Sequence, residues 1–356
     1  MIKHRRKHDH RDSEPHTPVQ EELLIEALPE ESAERVLCTS VGRGQFAEAA
    51  AAQFPEARVV CHFLDVFPAE LARAAVSERV EIACSADVPP EEVDLVALPV
   101  RARGDAELNR DLIQAGYLAL KTGGRMLASV DNPRDTWLHD ELRKLFPKVT
   151  RRPEGRRGVL YLATKPGPLK KVKEFECEFA FRDRERLIRV VSRPGVFSHR
   201  KIDGGARALI HAMPVKAGDR VLDIGCGCGA VGLAAAFRAE GVTVLAVDSH
   251  TRAIQCTRRG AELNGLTNLT TELNADGTAG APGTFDLVLG NPPYFSHYKI
   301  AETFLQTACR ALKPGGQVLI VTKTPHWFEE RMPELFDDVQ RETGLHYSIC
   351  RGTEPR

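Results

Sequence analysis

The sequence contains an internal repeat, and this repeat limits the folds that the chain can adopt. Two glycine-rich segments match first, VLCTSVGRG at 36–44 and VLDIGCGCG at 221–229. Two further pairs match later and in the same order, VDLVAL at 93–98 with FDLVLG at 285–290 and ALKTGGRML at 119–127 with ALKPGGQVL at 311–319. The offset is 185 positions at the first pair and 192 at the other two. A repeat that keeps its order over such a distance indicates two similar halves.

Within each half, short β-rich runs alternate with helical stretches. In the second half, RVLDIG at 220–225 is followed by VGLAAAFRAE at 231–240 and VTVLAVD at 242–248. This alternation predicts parallel strands covered by helices on both faces and joined by right-handed crossovers. The late runs VLYLAT at 159–164 and HYSIC at 346–350 each follow a helix and a KTGG or KPGG segment that we interpret as a turn. The predicted class is α/β, with two tandem Rossmann-like, doubly wound domains whose mostly parallel sheets end in an antiparallel hairpin.

Length and local composition divide the chain into four predicted segments. Its 356 residues suit two domains. Residues 1–19 contain four His, five Lys or Arg and two Pro, and a segment with so little to bury does not offset the entropy of ordering. We expect a disordered basic tail at 1–19, a first domain at 20–165, a basic linker at 166–174 and a second domain at 175–356.

The composition is that of a soluble globular protein. Apolar residues make up 42% of the chain and charged residues 28%. No apolar run approaches the roughly 18 residues of a membrane span, and the first residues lack the apolar stretch of a signal peptide. The nine cysteines never show the paired C-x-x-C spacing of a zinc or redox site. We therefore expect a cytoplasmic protein with reduced, mostly structural thiols, no metal site and no membrane contact.

Positive charge is concentrated in the middle of the chain. The whole sequence has 49 basic and 49 acidic residues, but residues 143–201 have eighteen basic residues against six acidic ones. Such a segment can present a local footprint to phosphates. A solvated linker with the same charge needs no partner, and charge alone leaves both interpretations open.

A glycine-rich turn in the second half predicts a ligand site. The run from Val221 to Gly229 leads from an apolar strand into glycines that permit positive φ and close backbone approach to a ligand. Asp248 ends the next strand, nineteen residues after Gly229, where an acid can accept two ribose hydroxyls. Asp276 follows at another expected strand end and can accept a hydrogen bond from an adenine amino group. Together these features favour a nucleoside ligand over a purely structural turn.

The spacing of the glycines favours S-adenosylmethionine as that ligand. A dinucleotide site requires G-x-G-x-x-G, whereas the glycines here are Gly225, Gly227 and Gly229. Asp223 precedes them, and its charge would repel a pyrophosphate but suits the cationic methionine end of S-adenosylmethionine. A dehydrogenase is therefore the least favoured class.

Several motifs together resemble a known family. They are D-x-G-x-G-x-G at 223–229, the strand-end acid, NADG at 274–277, NPPY at 291–294, and PGVFS at 194–198 followed by KIDGG at 201–205. These motifs are similar to those of class I S-adenosylmethionine-dependent methyltransferases of the MTS (methyltransferase small) family. With its altered first copy, the chain apart from its tail resembles bacterial ribosomal RNA small-subunit guanine-N2 methyltransferases, in which a cofactor-less amino-terminal duplicate is fused to the active domain. The resemblance implies methylation of ribosomal RNA, and a partner that is this RNA or the small ribosomal subunit, contacted through 143–201.

The resemblance, with the spacing above, assigns the candidate site residues. The catalytic set is Asn291, Pro292, Pro293 and Tyr294. The cofactor-binding set is Asp223, Gly225, Cys226, Gly227, Gly229, Asp248, Ser249, Asp276, Gly277, Asn291 and Phe197.

The NPPY motif suits methyl transfer to a poorly nucleophilic nitrogen. The lone pair of an exocyclic guanine amine is delocalised into the ring, so the amine must shift toward sp³ geometry while acceptors hold its hydrogens. The Asn291 side-chain carbonyl and the Pro292 backbone carbonyl supply two acceptors, and the prolines fix the loop. Tyr294 would stack on the base. Transfer from a sulfonium needs little acid–base help, so we nominate no strong general base.

The first half lacks these features. Cys38 stands where the second half has Asp223, Ser40 stands where it has Gly225, and LPVRA at 98–102 replaces GNPPY. We therefore expect that 20–165 binds no cofactor and keeps the fold for packing and RNA docking.

Three other functions remain open at this point. Protein glutamine methyltransferases also use NPPY to hold an amide, although their usual amino-terminal domain is helical. DNA adenine methylation uses the same tetrapeptide, but no target-recognition domain is evident. A non-enzymatic RNA-binding or assembly factor with a vestigial pocket is disfavoured by the intact Asp223, Asp248 and Asn291.

Overall fold

The computed structural model describes residues 16–293 and 298–356, and the first half forms a seven-stranded sheet with helices on both faces. Its strand order is β3-β2-β1-β4-β5-β7-β6. The first five strands in this order are parallel, whereas β7 is antiparallel to both of its neighbours. The elements are α1 (Val19–Ile25), β1 (Arg35–Thr39), α2 (Gln45–Gln53), β2 (Arg58–Phe63), α3 (Val66–Arg73), β3 (Val80–Cys84), β4 (Val93–Val100), α4 (Ala106–Ala119), β5 (Leu120–Val130), α5 (Trp137–Arg143), β6 (Val149–Glu154) and β7 (Gly158–Thr164).

The second half repeats this sheet with the equivalent order β12-β11-β10-β13-β14-β16-β15. A two-stranded antiparallel sheet, β8 with β9, precedes it. The elements are β8 (Cys177–Asp183), β9 (Arg186–Ser192), α6 (Gly204–Ala212), β10 (Arg220–Ile224), α7 (Ala230–Ala236), β11 (Thr243–Asp248), α8 (Thr251–Leu263), β12 (Leu269–Leu273), β13 (Phe285–Gly290), α9 (Lys299–Ala311), β14 (Leu312–Thr322), α10 (Pro325–Arg331), a 3₁₀ turn (Met332–Glu334), β15 (Phe336–Thr343) and β16 (Ser348–Pro355).

The predicted fold class is confirmed: two tandem, mostly parallel Rossmann-like sheets each end in an antiparallel hairpin. The central strands are buried because helices cover both faces, and Val221, Leu222 and Val288 are inaccessible to solvent. Residues 165–176, between β7 and β8, form neither helix nor strand. No helix among the described residues has the length and apolar character needed to cross a membrane.

Four local predictions differ from the structure. The KTGG and KPGG segments lie within the long strands β5 and β14, because Gly123 and Gly315 adopt positive φ at register shifts and let each strand continue through a bulge. α7 ends at Ala236, four residues before the predicted stretch does, and β16 begins at Ser348. Val19, placed in the tail, begins α1, which packs on the first sheet; residues 1–15 of that tail lie outside the described residues.

The two halves meet where β2 and β11 end. Val66 N donates to Ser249 O at 2.9 Å, and Thr251 N donates to Leu64 O at 2.7 Å. The two bonds are reciprocal, because 64 and 249 are equivalent positions of the repeat, as are 66 and 251. An antiparallel bridge between Asp65 and His250 lies at the centre. The halves therefore contact each other about a local two-fold axis, a few residues from the predicted cofactor site.

Candidate cofactor and substrate site

The glycine turn after β10 has the backbone that the sequence predicts. Gly225, Gly227 and Gly229 have φ values of 69°, 56° and 81°, in the region that residues with a Cβ rarely adopt. A Cβ on Gly225 would lie 2.6 Å from Phe304 Cζ. The backbone N–H groups of Gly225 and Cys226 donate to Val247 O on β11, at 2.8 and 2.9 Å. The turn is thus folded over the end of the neighbouring strand.

Asp223 lies beneath the turn and is buried. Its Oδ2 accepts a hydrogen bond of 2.8 Å from Gly232 N in α7. Burial raises the pKa of Asp223 to about 7, and the Gly232 hydrogen bond only partly opposes this shift. The carboxyl group therefore titrates near neutral pH, and a cation that binds beside it would stabilise its ionised form.

Asp248 ends β11 and holds the turn from the other side. Its Oδ2 accepts from Gly227 N and its Oδ1 from His250 N, both at 2.9 Å. Burial raises the pKa of Asp248 to about 6, against the effect of these two bonds. Each carboxylate oxygen retains a further lone pair, so the group can fix the turn and still accept hydroxyl hydrogens.

Ser249 lies at the contact between the halves. Its Oγ donates to Asp65 Oδ2 of the first half at 2.8 Å. Ser249 is one of the residues predicted from the sequence, whereas Asp65 is not, because the two residues are 184 positions apart.

The Asp276 segment forms a loop after β12. Asp276 is exposed and accepts hydrogen bonds from Thr278 N at 2.9 Å and Thr278 Oγ1 at 2.6 Å, and these bonds lower its pKa. Gly277 has a φ of 78°, and its carbonyl accepts a hydrogen bond from Thr307 Oγ1 at 3.1 Å. The Asp276 carboxylate therefore has an internal partner as well as access to solvent.

Phe197 lies against the glycine turn. A Cβ added to Gly227 would come within 3.8 Å of the Phe197 backbone carbonyl and Cβ. The Phe197 residue is nevertheless 61% exposed. It is a large aromatic group beside the turn without a protein core around it, which suits contact with a flat ligand.

Asn291 follows β13 directly, and β13 pairs with β10 so that Gly290 is opposite Ile224. The Asn291 Nδ2 donates to Asp203 Oδ2 at 3.1 Å. The same Asp203 oxygen accepts from Gly205 N and Ala206 N, at 2.8 and 3.1 Å, and so caps α6. Among the described residues, none donates to Asn291 Oδ1, whereas the amide nitrogen is engaged by Asp203.

The rest of the NPPY motif is partly described. Pro292 is buried and Pro293 is half-buried. Tyr294 lies outside the described residues. The next described residue, Tyr298, stacks on Trp327 with ring centroids 4.7 Å apart and an interplanar angle of 6°.

The equivalent turn in the first half is occupied by a side chain of the protein itself. Glu21 in α1 is inaccessible to solvent. Its Oε1 accepts from Ser40 Oγ and from the N–H groups of Val41 and Gly42, at 3.1 and 2.9 Å for the two backbone donors, and its Oε2 accepts from Phe46 N at 2.9 Å. Phe63 stands where the second half has Asp248.

A second cavity is distinct from this turn. A cavity of about 350 Å³ lies where the halves meet and is lined by the segment from Asp87 to Glu92, by α4 and by Arg252, away from the glycine turn. Among the described residues, no group of His, Cys, Asp or Glu is arranged to hold a metal ion. All nine cysteines are free thiols.

Comparison with known proteins places the chain in a class. The solved structure of the T. thermophilus 16S rRNA N2 methyltransferase in complex with AdoMet and guanosine matches with a TM-score of 0.83, covering 97% of this chain and 94% of that one at 21% identity. At that identity the match establishes the fold. The chain therefore has the Rossmann-like fold of that methyltransferase over nearly its whole length.

The sequence comparisons are more specific. The Methyltransferase small domain matches residues 187–350. The uncharacterized protein YbxB of Bacillus subtilis is 31% identical over 196 residues, which cover 52% of this chain and 94% of YbxB. The ribosomal RNA small subunit methyltransferase C of Chromohalobacter salexigens is 35% identical over 156 residues, covering 40% of this chain and 46% of that protein. The chain belongs to the methyltransferase small domain family, although each aligned region spans less than half of the small subunit methyltransferases C it matches.

Proposed function

We propose that this protein transfers a methyl group from S-adenosylmethionine to the exocyclic N2 amine of a guanine in small-subunit ribosomal RNA. The observation that carries the proposal is the orientation of Asn291 beside the glycine turn. Asp203 engages the amide nitrogen, so the amide oxygen would be the atom that accepts an incoming amine hydrogen. Matches to a 16S rRNA N2 methyltransferase and to small subunit methyltransferases C support ribosomal RNA as the substrate.

The described residues fit the cofactor that this reaction needs. S-adenosylmethionine would supply an electrophilic methyl group on a sulfonium. Asp248, at the end of β11, is suited to the ribose hydroxyls, and Asp223 to the cationic methionine end. Asp276 and Gly277 are suited to the adenine edge, and Phe197 to an apolar face of the ligand. Glycines 225, 227 and 229 leave the backbone open to close approach.

On this proposal the acceptor loop acts by positioning and polarisation. Asn291 Oδ1 and the Pro292 carbonyl would each accept one hydrogen of the amine, which directs the nitrogen lone pair at the methyl carbon. The base must be unpaired or flipped to reach this loop. The amine loses a proton to solvent after transfer, so the site needs no strong base.

We further propose that only the second half binds the cofactor. In the first half the Glu21 carboxylate already accepts the hydrogen bonds of the glycine turn, and Phe63 and Cys38 replace the two acids. Titration calorimetry on the whole chain is expected to give one S-adenosylmethionine site per chain. Two sites of similar affinity would contradict this assignment.

The basic segment 143–201 is proposed to contact RNA mainly through the hairpin of β6 and β7. Several of its arginines already pair with acids of the protein, as Arg157 does with Glu26 and Arg189 with Glu178. The hairpin exposes further positive charge, whereas the equivalent strand β15 exposes three acids and one basic residue, Arg341. The exposed groups are Lys148, Arg151, Arg152 and Arg156 on the first hairpin, and Asp337, Asp338 and Glu342 on β15. RNA binding should then weaken with salt, and a ribosomal RNA substrate would place the activity in the cytoplasm.

The deciding experiment is mass-spectrometric mapping of methylated nucleotides in small-subunit ribosomal RNA from cells with and without this gene. We expect one N2-methylguanosine to disappear with the gene and to return when the purified protein and S-adenosylmethionine are added to the unmethylated subunit or its RNA. Loss of N6-methyladenosine instead would show that the methyl acceptor is an adenine and not a guanine. An unchanged RNA, with methyl transfer to a protein glutamine, would refute the RNA assignment.

A further inference from the structure

The loop from Arg193 to Lys201 connects β9 to α6 and passes over the glycine turn. Phe197, in its middle, makes the contact with Gly227 described above. Two non-glycine residues of this loop, Ser198 and Arg200, have positive φ values of 64° and 72°. Such backbone is costly for residues with a Cβ and persists only where surrounding contacts enforce it.

Ser198 Oγ donates to Lys201 O within the loop, and the contacts that hold Arg200 come from the first half of the chain. Arg200 donates through Nε and Nη2 to the Glu107 carboxylate, with distances from 2.6 to 3.2 Å. His199 Nε2 lies 3.4 Å from Glu107 Oε2. At the other end of the loop, Arg193 donates to both oxygens of Asp87. Acids of the first half thus hold both ends of a loop that covers the cofactor turn of the second half.

The middle of the loop is held as well. Gly195 N lies 3.3 Å from Asp105 Oδ2, and Asp105 caps α4 through its other oxygen. Leu108, also in the first turn of α4, lies so close to Gly195 that an added Cβ there would be 3.3 Å from it. The amino-terminal end of α4 is therefore packed against the loop.

The position of α4 in the repeat relates this contact to the acceptor motif of the second half. α4 follows β4 as α9 follows β13, so the amino-terminal end of α4 is the first-half counterpart of the region that follows Asn291 in the second half. The first half has lost the acceptor motif there and instead carries Asp105 and Glu107, which contact the cofactor loop of the other half.

We propose that Glu107, with Asp87, is a positioning residue for S-adenosylmethionine binding: it holds the loop 193–201 so that Phe197 lies over the cofactor turn. This inference rests on the proposed function for its ligand. It gives the first half a direct part in cofactor affinity, separate from any contact with RNA.

The test uses the whole chain with Glu107→Gln and with Glu107→Gln/Asp87→Asn. The dissociation constant of S-adenosylmethionine, measured by calorimetry, and its KM should rise about threefold in the single variant and about tenfold in the double variant, because partly exposed ion pairs contribute modestly. The kcat should stay within about twofold of wild type. The charge-swapped Glu107→Arg/Arg200→Glu protein should recover part of the affinity.

Matched controls remove similar ion pairs elsewhere in the first half. Arg157 pairs with Glu26 through two bonds of 2.8 Å, and Arg58 pairs with Glu81 through bonds of 3.0 and 2.8 Å. Glu26→Gln and Glu26→Gln/Glu81→Gln should leave the cofactor affinity unchanged. Equal affinities in the Glu107 variants and these controls would overturn the proposal.

Hydrogen exchange of the ligand-free protein separates this inference from the proposed function. Amides of residues 195–201 should exchange faster in Glu107→Gln than in Glu26→Gln, while those of β10 do not change. A wild-type protein that binds no S-adenosylmethionine would refute the proposed function and the role of the loop in binding. Unchanged exchange in 195–201 would refute the anchoring itself.

Discussion

At the scale of single residues, two buried carboxyl groups make the candidate site sensitive to pH. Burial raises the pKa of Asp223 to about 7 and that of Asp248 to about 6. The cationic methionine end of the ligand would favour the ionised form of Asp223, and hydroxyl donors would favour that of Asp248, so binding should lower both pKa values and release protons. As the pH falls from 7 to 5, protonation opposes binding, and the affinity for S-adenosylmethionine should drop by about tenfold or more.

Calorimetry at pH 6.5 in buffers of different ionisation enthalpy measures the released protons directly. Asp223→Asn removes the group with the higher pKa, so its affinity should be lower at pH 7 and vary less between pH 6 and 7. A proton release equal to that of wild type would show that Asp223 does not face the charge of the ligand.

Asn291 offers a second prediction at this scale. Asn291→Ala removes the side-chain acceptor but leaves the glycine turn and its acids in place. Methyl transfer should fall by about 10²–10³-fold, the cost of losing one preorganised polar group at a reacting centre, while cofactor affinity changes by no more than a few-fold. Single-turnover assays and calorimetry give the two values. Asn132→Ala, at a turn of the first half, is the control, and persistent turnover in Asn291→Ala would contradict the amine-clamp assignment.

The sequence predicted these residues because their signals are local. Positive φ requires glycine at 225, 227 and 229, and acids at strand ends follow from the strand pattern. The partners of the site were not predictable in this way. Asp203 contacts Asn291 across 88 positions and Asp65 contacts Ser249 across 184, and only the packing of elements brings such residues together. The KIDGG motif was the one local signal for Asp203.

At the scale of elements, α1 contributes a buried carboxylate, Glu21, to the first glycine turn. Glu21→Ala would leave the N–H groups of Val41 and Phe46 and the Ser40 hydroxyl without their acceptor, whereas Gly42 N would keep Ser40 Oγ, at 3.0 Å. We expect a loss of about 2–4 kcal/mol in the free energy of unfolding, since buried donors lose a charged partner. Urea unfolding followed by circular dichroism measures the loss.

The neighbouring residue on the same helix provides the control. Glu22 is half-buried and lies 3.7 Å from Arg157, so Glu22→Ala should cost about 0.5 kcal/mol or less. A Glu21→Ala protein as stable as Glu22→Ala would mean that water replaces the carboxylate at the first glycine turn. That result would also weaken the case for a closed first-half site.

The strands and helices were easier to predict than the segments at which they begin or connect. Both sheets were predictable because apolar, strand-like runs alternate regularly with helical stretches along each half. The KTGG and KPGG segments were misread as turns because glycine serves both turns and bulges. Whether a strand continues past Gly123 or Gly315 depends on its pairing with the next strand, which lies outside the segment.

At the scale of the whole molecule, Arg252 joins the two halves. This second-half residue is only 2% exposed. Its guanidinium pairs with Asp111 of α4 and donates from Nε to Ala86 O at 2.8 Å, both in the first half. Its Nη1 also donates to Pro194 O at 3.0 Å, in the loop 193–201. A buried cation with partners in both halves couples their unfolding, so the wild-type chain should unfold in a single calorimetric transition.

Arg252→Met should uncouple the halves. It leaves the Asp111 carboxylate without its cation, and breaking a buried pair in this way costs about 3–5 kcal/mol. Differential scanning calorimetry should then resolve two transitions in place of one. Arg252→Met/Asp111→Leu should recover part of the stability, because no unpaired charge remains.

Arg238→Met provides the comparison. The side chain of Arg238 is 5% exposed and pairs with Asp183 within the second half. This variant should lower the midpoint of unfolding and keep one transition. A single transition in Arg252→Met at the wild-type midpoint would mean that the backbone bonds between Leu64–Val66 and Ser249–Thr251 couple the halves without it.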